Sequence, residues 1–548
     1  MMRTTPPAPH RLNHRGGIGS IRGRARHRHH HRRRPATETD ASGTPSSSTD
    51  EVPVPVRLLA IVGASSPSHF GYPALLSRPP PTWLEVFSHA RDLLRWTDSA
   101  YVLDVAEDDD FDVLDDIESR NTYDIVVCVD ARAEIAAAAA ESVARHGGTS
   151  LLSLGEASTS PAVLRLRDSR SPAGTTGNIL SFLRSLVLEP RGGLGRRQSA
   201  LLSSAAELWK RRSADDLVYL LLVLIDALAR EVPRVSMTAS ASPTPDLLYC
   251  MLTNCGREVI DCVSDPTCKA ALDCLTDCGL NDQVCSYQCI VAYETPLFER
   301  FSQCVLQKHN CMGNFAEVPD MPAVDPMTRF RGAEMTHEQA EDILIGWLGE
   351  ERHSWKVVTG QNAAYDVFPN QHQVSPHPTT LSLSLSLSIS SILLHPRILS
   401  DQLPSSDQIF YRGKRKRSFW YDPVFQAKTF EGDLVWRRRH YRVRRGKVPG
   451  TFYFSVLDNG VISNEFWRIV DCAEDLEWGL FYYSGAASAA GQSYTGAVFV
   501  TRDGMWPGPQ AFARIEDAHA KCGIKLWELF EVENYDCEDA PLDPLDDD

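Results

Sequence analysis

The stretch Cys255–Cys285, "CGREVIDCVSDPTCKAALDCLTDCGLNDQVC", carries six of the chain's 14 cysteines. Ten of the 14 lie between Cys250 and Cys311. Three chemistries compete for so many thiols. A zinc site wants about four ligands, usually in close pairs, and no C-x-x-C occurs anywhere in the chain. Thiol redox catalysis typically uses one such pair. A disulfide framework wants an even count in a short, core-poor segment, and that is the pattern seen. Cys274 with Cys278, and Cys285 with Cys289, are spaced i, i+4. Each pair therefore lies on one helical face, so two antiparallel helices could be stapled twice. Disulfides are the favoured reading, and they demand an oxidising compartment.

Outward from this module, the 548 residues suggest three or four domains. The net charge of −15 argues against a nucleic-acid partner. No run of about 18 apolar residues marks a membrane span. Residues 1–50 are Arg-, His- and Ser-rich with no acid before Glu38, and read as a disordered, transit-peptide-like region. Within them "HRHHHRRR" is a metal- or nucleic-acid-binding alternative. Residues 55–200 read as a small α/β segment, with "VRLLAIVG", "YDIVVCVDA" and "TSLLSL" as buried strands. They lack a G-x-G-x-x-G and are assigned no activity. Residues 201–245 carry "LVYLLLVLIDALA", which fits a thylakoid transfer signal or a buried helix equally well.

Residues 246–315 are the cysteine module. Residues 350–505 change character, to short aromatic and β-branched runs separated by turn residues, a meander expected to form an antiparallel barrel or sandwich. The Ser-Leu segment 374–408 interrupts it and reads as a retained intron or a disordered loop. Residues 506–548 are read as a C-terminal helix and acidic tail. The fold class expected is α+β multi-domain: a disulfide-rich helical module, then a barrel, with an N-terminal α/β segment. Two basic runs, 412–417 and 436–447, suit anionic lipid or solvated strand faces. His337, His353 and His440 show no ligand spacing, so no metal is assigned.

The cysteine spacing from Cys250 to Cys311, followed by "EFWRIVDC" (465–472) and "GQSYTGAVFVTRDG" (491–504), resembles the violaxanthin de-epoxidase family, and most the branch called violaxanthin de-epoxidase-related. The likeness covers roughly residues 246–537. It implies a lipocalin-like barrel and a pairing of Cys250–Cys268, Cys255–Cys262, Cys274–Cys289, Cys278–Cys285 and Cys304–Cys311. It implies reduction of violaxanthin to antheraxanthin and zeaxanthin with ascorbate as reductant, no metal, and a xanthophyll substrate. It also implies a chloroplast location, in the thylakoid lumen or peripheral on thylakoid membrane lipid; a homodimer is a further partner to consider. Epoxide reduction needs a proton donor in an apolar channel, and burial keeps a carboxyl protonated.

Carried over residue by residue, the resemblance gives Glu465, Asp366 and Tyr494 catalytic roles. Glu465 falls where the family has Asp. Trp355, Tyr365, Gln373, Trp467 and Tyr482 are expected to line the substrate. Departures stand at Pro369 and Asn370, where the family has Asp and Cys, at Gln373 for His, at His353 for Gly, and at Leu248 for Cys. A non-catalytic lipocalin-like binder of carotenoid or other lipid is the alternative.

Overall fold

The computed structural model describes residues 54–110, 123–146, 149–155, 201–235 with short breaks, 245–278, 282–348, 351–352, 355–366, 372–374, 418–429 and 432–534. The basic N-terminal stretch, the Ser-Leu insertion, the run 412–417 and the acidic tail lie outside these residues.

Four parallel strands form the N-terminal sheet: β1 (Val56–Val62), β2 (Tyr101–Glu107), β3 (Ile125–Val129) and β4 (Ser150–Leu154), in the order β2-β1-β3-β4. Between them run α1 (Trp83–Thr97) and α2 (Ala133–His146). Strand β2 escaped the reading of the sequence because "YVLDVAE" alternates charge with apolar residues, and its outer residues are only half-buried. Helix α3 (Ala214–Leu228) begins at the N-cap Ser213. It buries Leu217, Val218 and the whole run Leu220–Ile225 in the same core as β1 and α1. The segment read either as a transfer signal or as a buried helix is therefore, in this fold, a core helix.

The cysteine module is five short helices: α4 (Pro245–Asn254), α5 (Gly256–Ser264), α6 (Pro266–Asp277), α7 (Gln283–Ala292) and α8 (Pro296–Ser302). Asp265, Asp282 and Thr295 cap α6, α7 and α8 by accepting the first free N–H groups. All ten module cysteines are bridged, with Cα–Cα separations of 5.1–5.8 Å. Cys274–Cys289 and Cys278–Cys285 staple α6 to α7. The other three expected pairs are corrected. Cys250 joins Cys311, Cys255 joins Cys304, and Cys262 joins Cys268. The reason is packing. The end of α8 and the π-helical turn Gln303–Lys308 lie against α4 and α5, so the first two cysteines of the module meet its last two rather than nearer neighbours in sequence.

The barrel is one antiparallel sheet. Its strands are β5 (Trp355–Gly360), β6 (His372–Val374), β7 (Ser418–Lys428), β8 (Leu434–Arg438), β9 (Tyr441–Arg445), β10 (Thr451–Asp458), β11 (Val461–Cys472), β12 (Trp478–Ala487) and β13 (Gln492–Thr501). β8 and β9 share β7 as their partner. β6 pairs with β7 on one side and with β5 on the other, and β5 pairs with β13, so the ring closes. Along β10 the pleat sends Phe452, Phe454 and Val456 inward and leaves Tyr453 and Leu457 exposed. Every residue of β12 is buried, because α9 (Phe512–Lys521) covers its outer face through Ile515 and Ala518. The sheet does not end at residue 505 as expected: Phe530–Glu531 (β14) returns to pair with β5. The fold is α+β, a disulfide-rich helical module beside a lipocalin-like barrel, with an α/β unit before them.

Candidate functional site

Two carboxylates sit where strands β5, β9, β11, β12 and β13 face inward. Glu465 follows Asn464 on β11, and the pleat that exposes Asn464 turns Glu465 inside, where it is 6% exposed. Its Oε2 accepts from Trp467 Nε1 at 2.6 Å. Its Oε1 accepts from the hydroxyls of Tyr494 at 2.9 Å and Tyr441 at 3.3 Å. Asp366 lies in the turn after β5 and is 2% exposed. The Tyr483 hydroxyl donates to its Oδ1 at 2.8 Å. The backbone N–H groups of Asn362 and Gln361 donate to its Oδ2 at 2.8 and 3.2 Å.

Burial dominates the protonation of both. It pushes the Asp366 carboxyl up to about 7, against the hydrogen bonds from Asn362 and Tyr483 and with help from the Glu465 charge. Burial raises Glu465 too, opposed by its three donors. Burial thus biases both carboxyls toward the protonated form, and a protonated carboxyl inside an apolar chamber can give a proton to a weakly basic oxygen. The tyrosine hydroxyls around them are themselves pushed up by burial and by these carboxylates, so they stay neutral donors.

Rings form the walls. Trp467 stacks between Phe454 at 4.8 Å and Tyr483 at 5.0 Å. Tyr365 lies between Tyr494 at 4.7 Å and Tyr287 at 4.5 Å. Tyr287 comes from α7, so the disulfide module supplies part of the chamber's cover. A buried ion network fixes that cover. Arg439 pairs with Asp458 at 2.8 Å and Glu294 at 2.6 Å, and Arg437 pairs with Glu294 at 2.8 Å. Arg437 also donates to the Val291 carbonyl.

The structure thus brings together Glu465, Asp366, Tyr494, Tyr365 and Trp467. Trp355 is fully buried on β5, with its indole N–H donated to the Ile343 carbonyl at 2.9 Å. Its ring packs edge-on against Phe481, in the same core cluster as Trp467 and Tyr483. Gln373 lies in β6 opposite Trp355 and Pro423, and its side chain is outside the described residues, as are Pro369 and Asn370. Tyr482 is corrected. Adjacent strand residues point to opposite faces, and it is Tyr483 that turns inward, while Tyr482 packs outside with Ala497 and Cys522. The basic run 436–447 divides. Arg437, Arg438, Arg439 and Arg445 are spent in ion pairs, whereas Arg442 and Arg444 are exposed.

Tyr441, Tyr287 and Asn362 were not found by reading the sequence. Glycines inside strands mark close approach, and they point to Glu465, Tyr494, Tyr483 and Asp366, though not to Tyr441, Tyr287 or Asn362. A Cβ on Gly485 would meet Tyr494 Cε2 at 2.5 Å and Glu465 Cγ at 2.8 Å. A Cβ on Gly496 would strike the Tyr483 ring, and one on Gly360 would strike Asp366. Three glycines therefore make room for these four side chains.

Cys128, Cys472 and Cys522 are unbridged and buried, and burial pushes each thiol up to about 12, so none is a ready nucleophile. Among the described residues two triples lie close enough to hold a metal, Cys255–Cys304–His309 and Cys278–Cys285–Cys289. Their sulfurs are bound in disulfides. Among the described residues no helix is long and apolar enough to cross a membrane.

The lobster apocrustacyanin A1 structure aligns over 40% of this chain and 93% of its own, at 7% identity and a TM-score of 0.22. Violaxanthin de-epoxidase, chloroplastic, of Nicotiana tabacum is 21% identical over 311 residues, 56% of this chain and 55% of that protein. Its Arabidopsis thaliana counterpart is 23% identical over 124 residues, 22% of this chain and 24% of that protein. The chain thus spans about half the length of the tobacco relative and about a quarter of the Arabidopsis one. The family described as the VDE lipocalin domain matches residues 248–534. That match takes in the module, the barrel and both buried carboxylates, and it covers more than half of the chain: this protein belongs to the VDE lipocalin domain family.

Proposed function

We propose that the chain is a violaxanthin de-epoxidase-type oxidoreductase that reduces xanthophyll epoxides with ascorbate in the thylakoid lumen. The observation that carries the proposal is the buried pair Glu465 and Asp366, held toward the protonated state inside a wall of aromatic rings. A carotenoid is long and apolar and suits such a lining. In the reaction, the epoxide oxygen takes a proton from Glu465, which weakens its C–O bonds. Ascorbate supplies two electrons and becomes dehydroascorbate. The oxygen leaves as water after a second proton, and the two carbons form a double bond. Tyr494 and Tyr441 hold Glu465 in place, and Asp366 with Tyr483 supplies the second acid. Contact with the lipid that carries the pigment falls to the exposed Arg442, Arg444 and Tyr453 on the outer sheet face.

The oxidised full-length protein, incubated with violaxanthin, galactolipid and ascorbate at pH 5 and pH 7.5, is expected to yield zeaxanthin only at acid pH. Glu465→Gln is expected to abolish that turnover while keeping pigment binding. The replacements at Pro369 and Gln373 favour a second reading, a non-catalytic lipocalin-like carotenoid or lipid binder. Pigment that co-purifies with a folded protein and is never converted would establish the binder and end the enzyme reading.

A further inference from the structure

Strand β5 ends at Gly360, and the chain then turns so that Asp366 meets Tyr483 in the chamber. The ladder to β13 outlasts the strand. The Gln361 N–H, shared with Asp366, still donates to the Ala497 carbonyl at 3.0 Å. Two residues back along β13, the Thr495 carbonyl accepts from the Asn362 side-chain Nδ2, also at 3.0 Å. A side-chain amide thus takes the ladder position that the departing backbone leaves, and it satisfies a carbonyl that burial would otherwise make costly.

The rest of Asn362 holds the turn. Its Oδ1 accepts from the Ala364 N–H at 2.9 Å, the bond by which an Asn side chain mimics a backbone turn. Its carbonyl accepts from the N–H groups of Tyr365 at 3.2 Å and Asp366 at 2.8 Å. Its own N–H donates to Asp366 Oδ2 at 2.8 Å. This reciprocity is that of a helix capping box, closed here on a single turn. Exchanging the amide oxygen and nitrogen would break both side-chain bonds, so the partners fix the orientation. Asn362 is 7% exposed, which leaves little water to compete.

The clamp's two ends reach different acids. The turn carries Asp366. Thr495 neighbours Tyr494, whose hydroxyl donates to Glu465 at 2.9 Å. We propose that Asn362 is a positioning residue: its side chain fixes the turn of Asp366 against the strand of Tyr494 and so sets the spacing of the two buried acids. The proposal rests on reading those acids as the proton donors of the reaction, but its effect on Asp366 is read from the protein without turnover. The Asn362 N–H is one of the groups that hold the Asp366 carboxyl down against burial. A loosened turn withdraws it, so the Asp366 midpoint climbs above about 7. The other titratable groups facing Asp366 are Glu465 of β11, Tyr483 of β12, Tyr421 of β7 and Tyr365 of its own turn. Substitution at Asn362 leaves all four in the chain.

The test is an NMR titration of the full, oxidised chain, isotope-labelled at the aspartate carboxyl carbon, with Asp366→Asn identifying the Asp366 signal. Asn362→Ala is expected to move that midpoint upward by about half a pH unit. With violaxanthin and ascorbate it is expected to lower kcat about tenfold and to change KM less than about twofold, because misplaced acids slow the chemistry more than they weaken binding. Asn362→Ser, whose hydroxyl keeps an acceptor for the Ala364 N–H, is expected to return the midpoint most of the way and serves if the alanine variant does not fold. An Asp366 midpoint that stays at the wild-type value in the folded variants, even with a lower melting temperature, would make Asn362 structural only and overturn the proposal. A shifted midpoint in a protein that never yields zeaxanthin would end the enzyme reading and leave the positioning of Asp366 standing.

Discussion

The module and the barrel solve the same problem in opposite ways. Helix α4 buries none of its residues, and Tyr249 and Leu252 stay 71% and 66% exposed. Sulfur is a large share of the module's core: Cys255, Cys262, Cys268 and Cys289 are fully buried beside Ala271 and Val291, and small apolar clusters around Phe298 and Val305 pack against them. Among the described residues the barrel carries no bridge. Trp355, Phe452, Phe454, Phe481 and Phe499 are all fully buried, and large rings contribute the greatest burial per residue. Covalent closure lets the module remain small and shaped as a cover. Deep burial in the barrel does a second job, because it is the cause of the raised carboxyl groups. The sharpest way to break this contrast is reduction. With five bridges gone, at about 2–4 kcal/mol each, helices 245–302 are expected to lose hydrogen-exchange protection under dithiothreitol while strands 451–501 keep theirs. Loss of barrel protection first, or an unchanged module, would show that the division of labour drawn here is wrong.

Acidity should act on the barrel and spare the module. Asp366 is raised from the ordinary 3.8 to about 7 by burial. A raised carboxyl contributes stability that is fully present below about 4 and lost as pH rises through 7. From pH 5 to pH 8 that loss is roughly 2–3 kcal/mol. The module has no tryptophan, so tryptophan fluorescence in a urea titration does not report on it directly. The wild-type transition should move to lower urea at pH 8, and Asp366→Asn should remove most of that movement. An Asp366→Asn variant with the full wild-type pH slope would place the slope elsewhere.

Much of this division was legible in the sequence, and the reasons it was not wholly so are physical. The cysteine count and spacing announced a stapled helical module, because even counts in a core-poor segment have few other uses. Which sulfur meets which depends on how α8 returns to α4, and no local pattern encodes that return. Alternation marked the strands, and it is also why Tyr482 and Tyr483 could not both line one chamber. The register that chose Tyr483 is set by its pairing with Trp467 and Gly496. The glycines carry the same lesson at smaller scale. Gly485 faces Glu465 on one side and Tyr494 on the other in the strand register. Gly485→Ala is expected to cost about 2 kcal/mol through overpacking, to lower the barrel's melting temperature, and to leave module exchange unchanged. A neutral substitution would mean the chamber is looser than its contacts.

The finest distinction is between a tyrosine that holds an acid and one that only fills space. Tyr494 does both. Its ring lies against Tyr365, and its hydroxyl donates to Glu465 at 2.9 Å. Tyr494→Phe keeps the ring and removes the donor. Since that hydrogen bond favours the ionised carboxylate, its loss should raise the Glu465 value further, and the acid limb of turnover or of pH-dependent fluorescence should move to higher pH. The stability change should be small, about 1 kcal/mol, because Trp467 and Tyr441 still donate to Glu465. The pH midpoint is therefore the decisive reading. An upward shift with nearly unchanged melting identifies a hydrogen bond that tunes an acid. A drop in melting with a fixed midpoint identifies packing alone, and would move Tyr494 out of the site and into the core.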